Sequence, residues 1–159
     1  VAAPKGRSVV EEREACILLV DDNRMDVELT LDAFEEARLK NRVRVCTGGQ
    51  EALDYLFGAG RYADRSAHPL PDIVLLDLKM PEVDGHEVLR RVKTHDDLKR
   101  IPVIILTSSK EEGDRLMSYN SGANSYLVKP VSFEGFLEVV RVVCDYWLTL
   151  NVAPPRASS

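Results

Sequence analysis

The chain has no apolar run of membrane length and no cluster of soft metal ligands. A bilayer-spanning helix needs roughly 18 or more apolar residues in a row, and Val1 to Ser8 lacks the apolar centre of a secretory signal. Cysteine is scarce: Cys16, Cys46 and Cys144 are odd in number, far apart and set in apolar stretches. That usage fits buried, reduced thiols in a cytoplasmic protein and argues against a disulfide framework or a zinc site. A basic excess is also missing. Lys and Arg number 21 against 26 Asp and Glu, a net charge of −5, which argues against binding nucleic acid through a broad basic surface. The nucleotide-binding pattern G-x-x-x-x-G-K-[ST] is absent, and H-E-x-x-H fails because His86-Glu87 is followed by Arg90.

What is present is the composition of one soluble globular domain: 159 residues, 45% hydrophobic and 30% charged. Cys16 to Val20, Ile73 to Leu76 and Val103 to Leu106 are short, nearly all-apolar runs, which read as strands buried on both faces. Val43 to Cys46 and Ser125 to Val128 are weaker strand signals. Between and after them lie amphipathic stretches: one containing Met25, Leu29, Phe34 and Leu39, then Gln50 to Phe57, His86 to Lys93, Glu111 to Asn120 and Phe133 to Leu150. This alternation predicts an α/β fold with a five-stranded parallel sheet and helices on both faces. Residues 1–14 read as a flexible segment, 15–150 as the folded domain and 151–159 as a disordered tail. The segment Gly58 to Pro71 is long for a connection and reads as a binding loop or an insertion. Its match of Gly58, Gly60 and Ala63 to G-x-G-x-x-A follows a helical pattern where a dinucleotide site needs a strand, so that reading is set aside.

Ligands of open parallel sheets bind beyond the carboxyl ends of the strands. The residues just after the apolar runs are Asp21 and Asp22, Asp77, Thr107 and Ser108, and Lys129 and Pro130. Singly, each has a bland explanation as a cap, a strand-end hydroxyl or a solvated charge. Jointly, three carboxylates at one sheet edge repel one another unless a cation neutralises them. A donor set of carboxylates and carbonyl without His or Cys points to Mg²⁺, with Mn²⁺ as a substitute. In this reading Asp77 is a nucleophile toward phosphorus. Asp22, Asp77 and the main-chain carbonyl of Lys79 hold the metal, Asp21 binds it directly or through water, and Lys129 pairs with the phosphoryl group. Asp84 reads as a helix cap and Gly85 as the residue that permits a tight helix start.

Four blocks of residues resemble the response-regulator receiver domains of two-component signalling. They are Asp21-Asp22, Asp77-Leu78-Lys79-Met80-Pro81-Glu82-Val83-Asp84-Gly85, Leu106-Thr107-Ser108 and Tyr126-Leu127-Val128-Lys129-Pro130. The resemblance covers about Cys16 to Leu150. It implies a flavodoxin-like strand order 2-1-3-4-5, phosphorylation of Asp77 by a sensor histidine kinase, and a cis Lys129–Pro130 bond that aims the ammonium inward. It also implies a switch in which Thr107 moves to the phosphoryl oxygens and Tyr126 turns inward, biasing the surface of the fourth helix, fifth strand and fifth helix. Lys79 and Ser109 occupy positions where such domains vary and where phosphoryl lifetime is tuned.

At about 100° per residue, Phe133, Phe136, Leu137, Val140, Cys144, Trp147 and Leu148 form a core stripe on the last helix. Val139, Val142, Tyr146 and Leu150 form a second apolar stripe, more than one core contact needs. That second stripe is read as a dimer or partner surface, with a homodimer favoured over an edge covered by the tail. The longer loop, the stretch Thr94 to Pro102 and the aromatic end of the last helix resemble single-domain regulators that accompany bacterial phytochromes, implying a bacteriophytochrome as cognate sensor. With the domain filling most of the chain, the expected output is protein contact or phosphoryl relay, with no membrane or direct nucleic-acid contact and no enzymatic unit. The competing readings are a phosphorylation-independent docking module and an Asp-nucleophile phosphotransferase. The latter needs a second Asp two residues after the nucleophile, where Lys79 stands.

Overall fold

The computed structural model describes residues 15–39 and 42–150 of the chain, the last three of these by backbone alone. The expectations for residues 1–14 and 151–159 fall outside the described residues. In chain order the elements are β1 (Ile17–Val20), α1 (Arg24–Glu36), β2 (Val43–Cys46), α2 (Gly49–Phe57), β3 (Ile73–Leu76), α3 (Gly85–Lys93), β4 (Val103–Thr107), α4 (Glu112–Asn120), β5 (Ser125–Val128) and α5 (Phe133–Val143). The strands form one parallel sheet in the order β2-β1-β3-β4-β5. This is the α/β architecture and the order 2-1-3-4-5 expected above.

Side chains alternate across a strand with a period of two, and here both faces are covered. Ile17, Leu19, Ile73, Leu75 and Ile104 pack with Phe34 of α1 and Phe136 and Val140 of α5. Leu18, Val20, Val74, Leu76, Val103 and Ile105 pack with Leu53 and Leu56 of α2 and Val88, Leu89 and Val92 of α3. Two covered faces explain why β1 and β3, and β4 up to Leu106, are apolar at every position. The strands β2 and β5 lie at the sheet edges and are only partly buried, which is why their sequence signals are weaker.

Local chemistry sets the helix starts. Asn23, and not Asp21 or Asp22, caps α1 by accepting from Asp26 N, while Asp84 caps α3 by accepting from Glu87 N. A Cβ on Gly85 would overlap the backbone carbonyl of Asp77. Glycine at that position therefore lets α3 start directly against the loop that carries Asp77.

The segment Gly58 to Pro71 folds back on the end of α2. Arg65 donates to the carbonyls of Tyr55 at 2.7 Å and Leu56 at 2.8 Å, which are among the last acceptors of that helix. Tyr55 Oη donates to Pro69 O at 2.8 Å. Cys16 Sγ, at the start of β1, lies 4.0 Å from the Tyr55 hydroxyl, so this segment packs at the edge of the sheet opposite to the strand ends. Gly58, Gly60 and Ala63 build no phosphate cradle there. All three cysteines are buried and none is in a disulfide.

The last helix departs from a simple α period. It is α-helical over Phe133–Val143 and continues as a π turn over Cys144–Leu150. Phe136, Val140, Val143 and Cys144 are buried, and Phe133, Leu137, Val139 and Trp147 pack against the same core. Val139 is therefore half-buried and not on a free second stripe, because the sheet face and α1 cover a wider arc of the helix than one stripe. Val142 and Tyr146 are exposed. The side chains of Leu148 and Leu150 fall outside the described residues.

Candidate functional site

Register brings the strand-end residues together. Val20 pairs with Leu76, and Thr107 with Val128, so Asp21, Asp77 and Lys129 each stand one step beyond a strand at the same sheet edge. Asp77 N donates to Val20 O at 2.9 Å and Lys129 N to Thr107 O at 2.7 Å. These two backbone bonds extend the ladder by one residue and fix where the side chains leave it.

Oxygens of Asp21, Asp22 and Asp77 lie within 4.8 Å of one another. Asp21 and Asp77 are buried, 3% and 5% exposed, while Asp22 is open to solvent. One oxygen of Asp77 accepts from Leu78 N at 2.8 Å, and the other faces the Lys129 ammonium at 3.4 Å. Lys129 is nearer to Asp21, at 2.8 Å, and to Asp26, at 2.7 Å. Burial alone would push the Lys129 ammonium down, but the bonds to Asp21 and Asp26 and the charge of Asp77 outweigh it and hold the pKa above the ordinary lysine value. Burial pushes the Asp21 carboxyl above its ordinary value even though Lys129 and Asn23 N bond to it. The edge thus concentrates more negative charge than one ammonium balances. The all-oxygen donor set of Asp21, Asp22 and Asp77, with an open side at Asp22, fits a hard divalent cation.

Lys129 reaches this cluster from a trans peptide bond. No peptide among the described residues is cis, so the cis Lys129–Pro130 bond implied by the resemblance is corrected. The trans form is the lower-energy isomer, and the β4–β5 ladder already delivers the ammonium to the sheet edge.

Thr107 is fully buried at the end of β4 and its hydroxyl accepts from Ser109 N at 3.3 Å. Tyr126 is half-buried against the core, and its hydroxyl donates to Ser109 O at 3.0 Å. The two residues expected to form a switch therefore meet on opposite sides of Ser109.

Two acidic residues of this region were not singled out from the sequence. Asp26 stands in the first turn of α1, where an acidic residue is ordinary, so nothing local marks it out. Asp114, in the first turn of α4, bonds Ser109, Lys79 and His86. Its partners come from three other segments, so no local pattern announces it.

The family profile described as the response regulator receiver domain matches residues 17–141. A curated relative, the probable methanogenesis regulatory protein FilR2 of Methanothrix harundinacea, is 42% identical over 89% of this chain and 88% of its own length. Response regulator Rcp1 of Synechocystis is 34% identical over 87% of this chain and 92% of its own. The crystal structure of its Mn²⁺-bound form covers 89% of this chain and 99% of that one, with a TM-score of 0.79 and 33% identity. The bacteriophytochrome response regulator AtBRR superposes with a TM-score of 0.69 at 49% identity, covering 87% of this chain and 98% of its own.

Proposed function

The chain belongs to the response regulator receiver domain family, and from that premise we propose that Asp77 accepts a phosphoryl group from a sensor histidine kinase. The observation that carries this reading is one cluster: three carboxylates within 4.8 Å of one another and a buried lysine 3.4 Å from Asp77. An Asp77 oxygen attacks the phosphorus of a phosphohistidine, the P–N bond breaks, and the imidazole leaves with its electron pair and takes a proton. Lys129 neutralises charge on the transferring oxygens. Mg²⁺ held by Asp21, Asp22, Asp77 and the Lys79 carbonyl would add to that neutralisation when bound, with Mn²⁺ able to replace it.

The new phosphoryl group carries roughly −1.5 to −2 charge. The Thr107 hydroxyl then turns from Ser109 N to donate to a phosphoryl oxygen. Ser109 is also the partner of the Tyr126 hydroxyl, so the movement is transmitted to β5 and to the surface of α4 and α5, the bistable element of the switch. The domain is a phosphoacceptor that supports its own phosphoryl transfer and not an enzyme acting on a separate substrate. The likeness to AtBRR supports a bacteriophytochrome as the sensor. The buried thiols, none in a disulfide, fit work in the cytoplasm, and no described helix is long and apolar enough to cross a membrane.

Incubation with acetyl phosphate in Mg²⁺ is expected to label the protein, and a chelator to lower the initial rate by about tenfold or more. Equal labelling in Mg²⁺ and in chelator would overturn the metal assignment. The exposed pair Val142 and Tyr146 on the last helix supports a homodimer, to which Val139 contributes less; of Leu150 only the backbone is described. Sedimentation is expected to show a dimer that Tyr146→Asp weakens. A protein that stays monomeric at high concentration, phosphorylated or not, contradicts it.

A further inference from the structure

A single carboxylate links the segment after Asp77 to the segment after Thr107. One oxygen of Asp114 accepts from Ser109 Oγ at 2.6 Å and meets Lys79 Nζ at 3.0 Å. The other lies 3.0 Å from His86 Nε2, on α3. Ser109 in turn donates its N–H to Thr107 Oγ1 and accepts at its carbonyl from Tyr126. A continuous chain of contacts therefore runs from Lys79, two residues after Asp77, through Asp114 and Ser109 to the switch hydroxyl.

Exposed ion pairs generally contribute little, because both side chains must be ordered against solvent. Here the anion is already ordered. The Asp114 side chain is 13% exposed and fixed by Ser109 and His86, whereas that of Lys79 is 55% exposed. The Lys79 stem would otherwise be free to turn, and the phosphoryl group on Asp77 would be a strong nearby anion for its ammonium.

We propose that Asp114 is a positioning residue for the phosphoryl site: it holds the Lys79 ammonium aside from Asp77 and thereby keeps the path open for hydrolysis of the aspartyl phosphate. The inference rests on the reading of Asp77 as phosphoacceptor. In the step concerned, a water oxygen attacks the phosphorus and the bond from phosphorus to the Asp77 oxygen breaks. Asp77 is regenerated as a carboxylate, and the water protons pass to the released inorganic phosphate and solvent. An in-line attack needs the face opposite Asp77 to be open to water. A Lys79 side chain released from Asp114 and drawn to the phosphoryl oxygens, which Lys129 already neutralises, would crowd that face. Loss of Asp114 is therefore expected to slow hydrolysis.

The test uses the full chain, labelled with acetyl phosphate in Mg²⁺, freed of donor and followed as the label decays. Asp114→Ala is expected to lengthen the half-life by about threefold or more, and Asp114→Asn, which keeps an acceptor for Ser109 and the side-chain volume, to act in the same direction. The informative comparison is made in a Lys79→Met background, which keeps the main-chain carbonyl. There the further change Asp114→Ala should alter the half-life by less than about twofold. A merely structural role of Asp114 would not depend on Lys79 in this way. A half-life in Asp114→Ala and Asp114→Asn that is unchanged or shortened overturns the proposal, as does a lengthening that persists undiminished with Met at position 79. Failure of the wild type to take label at all overturns the phosphoacceptor reading itself, and is seen before any variant is compared.

Discussion

Lys129→Met is expected to lower the free energy of unfolding by on the order of 3 kcal/mol at neutral pH in chelator, the range seen when one partner of a buried ion pair is removed. The Lys129 side chain is 7% exposed and touches Asp21, Asp26 and Asp77 within 3.4 Å. Methionine fills much the same volume, so the change is chiefly one of charge. It leaves Asp21 and Asp77 buried against each other with no cation, and burial already pushes the Asp21 carboxyl up with Lys129 present. The Asp21 carboxyl, raised above its ordinary value by burial, costs most once it ionises, so that cost is relieved as pH falls. The loss should therefore shrink toward acid pH. It should also shrink in Mg²⁺, because a cation bound only by the folded state stabilises it by mass action. Urea denaturation with and without Mg²⁺ measures both effects. A variant as stable as the wild type in chelator would show that Lys129 does not balance this cluster.

Asp77→Asn is expected to reduce labelling by acetyl phosphate by a factor on the order of 10² or more. An amide oxygen is a poor nucleophile toward phosphorus, and the change also removes one of the three carboxylates grouped for the cation. Neither Asp21 nor Asp22 substitutes for it. Asp21 has one oxygen on Asn23 N and the other on Lys129, and Asp22 is exposed to solvent. Quantitative labelling of wild type and variant in parallel measures the factor, and full labelling of Asp77→Asn removes the site assignment.

Residues whose meaning depends on position along a strand were legible in the sequence. A run that is apolar at every position, as in Ile73–Leu76, is what burial on both faces requires, and its end points to the sheet edge where Asp77 stands. The helix cap at Asp84 was equally local. Residues whose meaning depends on what packs against them were not legible. Asp26 looks like one more charge on an amphipathic helix until Lys129, 103 residues on, is placed against it. Asp114 is defined by Ser109, Lys79 and His86, which only the packing of α3 and α4 brings together. Helical periodicity sets Val139 on the second stripe, yet it is half-buried against the core, because the contact with α1 and the sheet is broader than one stripe. The resemblance implied a cis bond before Pro130, yet the backbone there is trans. Lys129 stands at the sheet edge through the strand ladder, its N–H bonded to Thr107 O.

The most direct test of Asp77 as phosphoacceptor is to treat the phosphorylated protein with borohydride, which reduces an aspartyl phosphate to homoserine, and to sequence the product by mass spectrometry. Homoserine at position 77, formed only with phosphodonor and to a greater extent when Mg²⁺ is present, is the expected result. Homoserine at position 21 or 22, or labelled protein that yields none, would contradict the account.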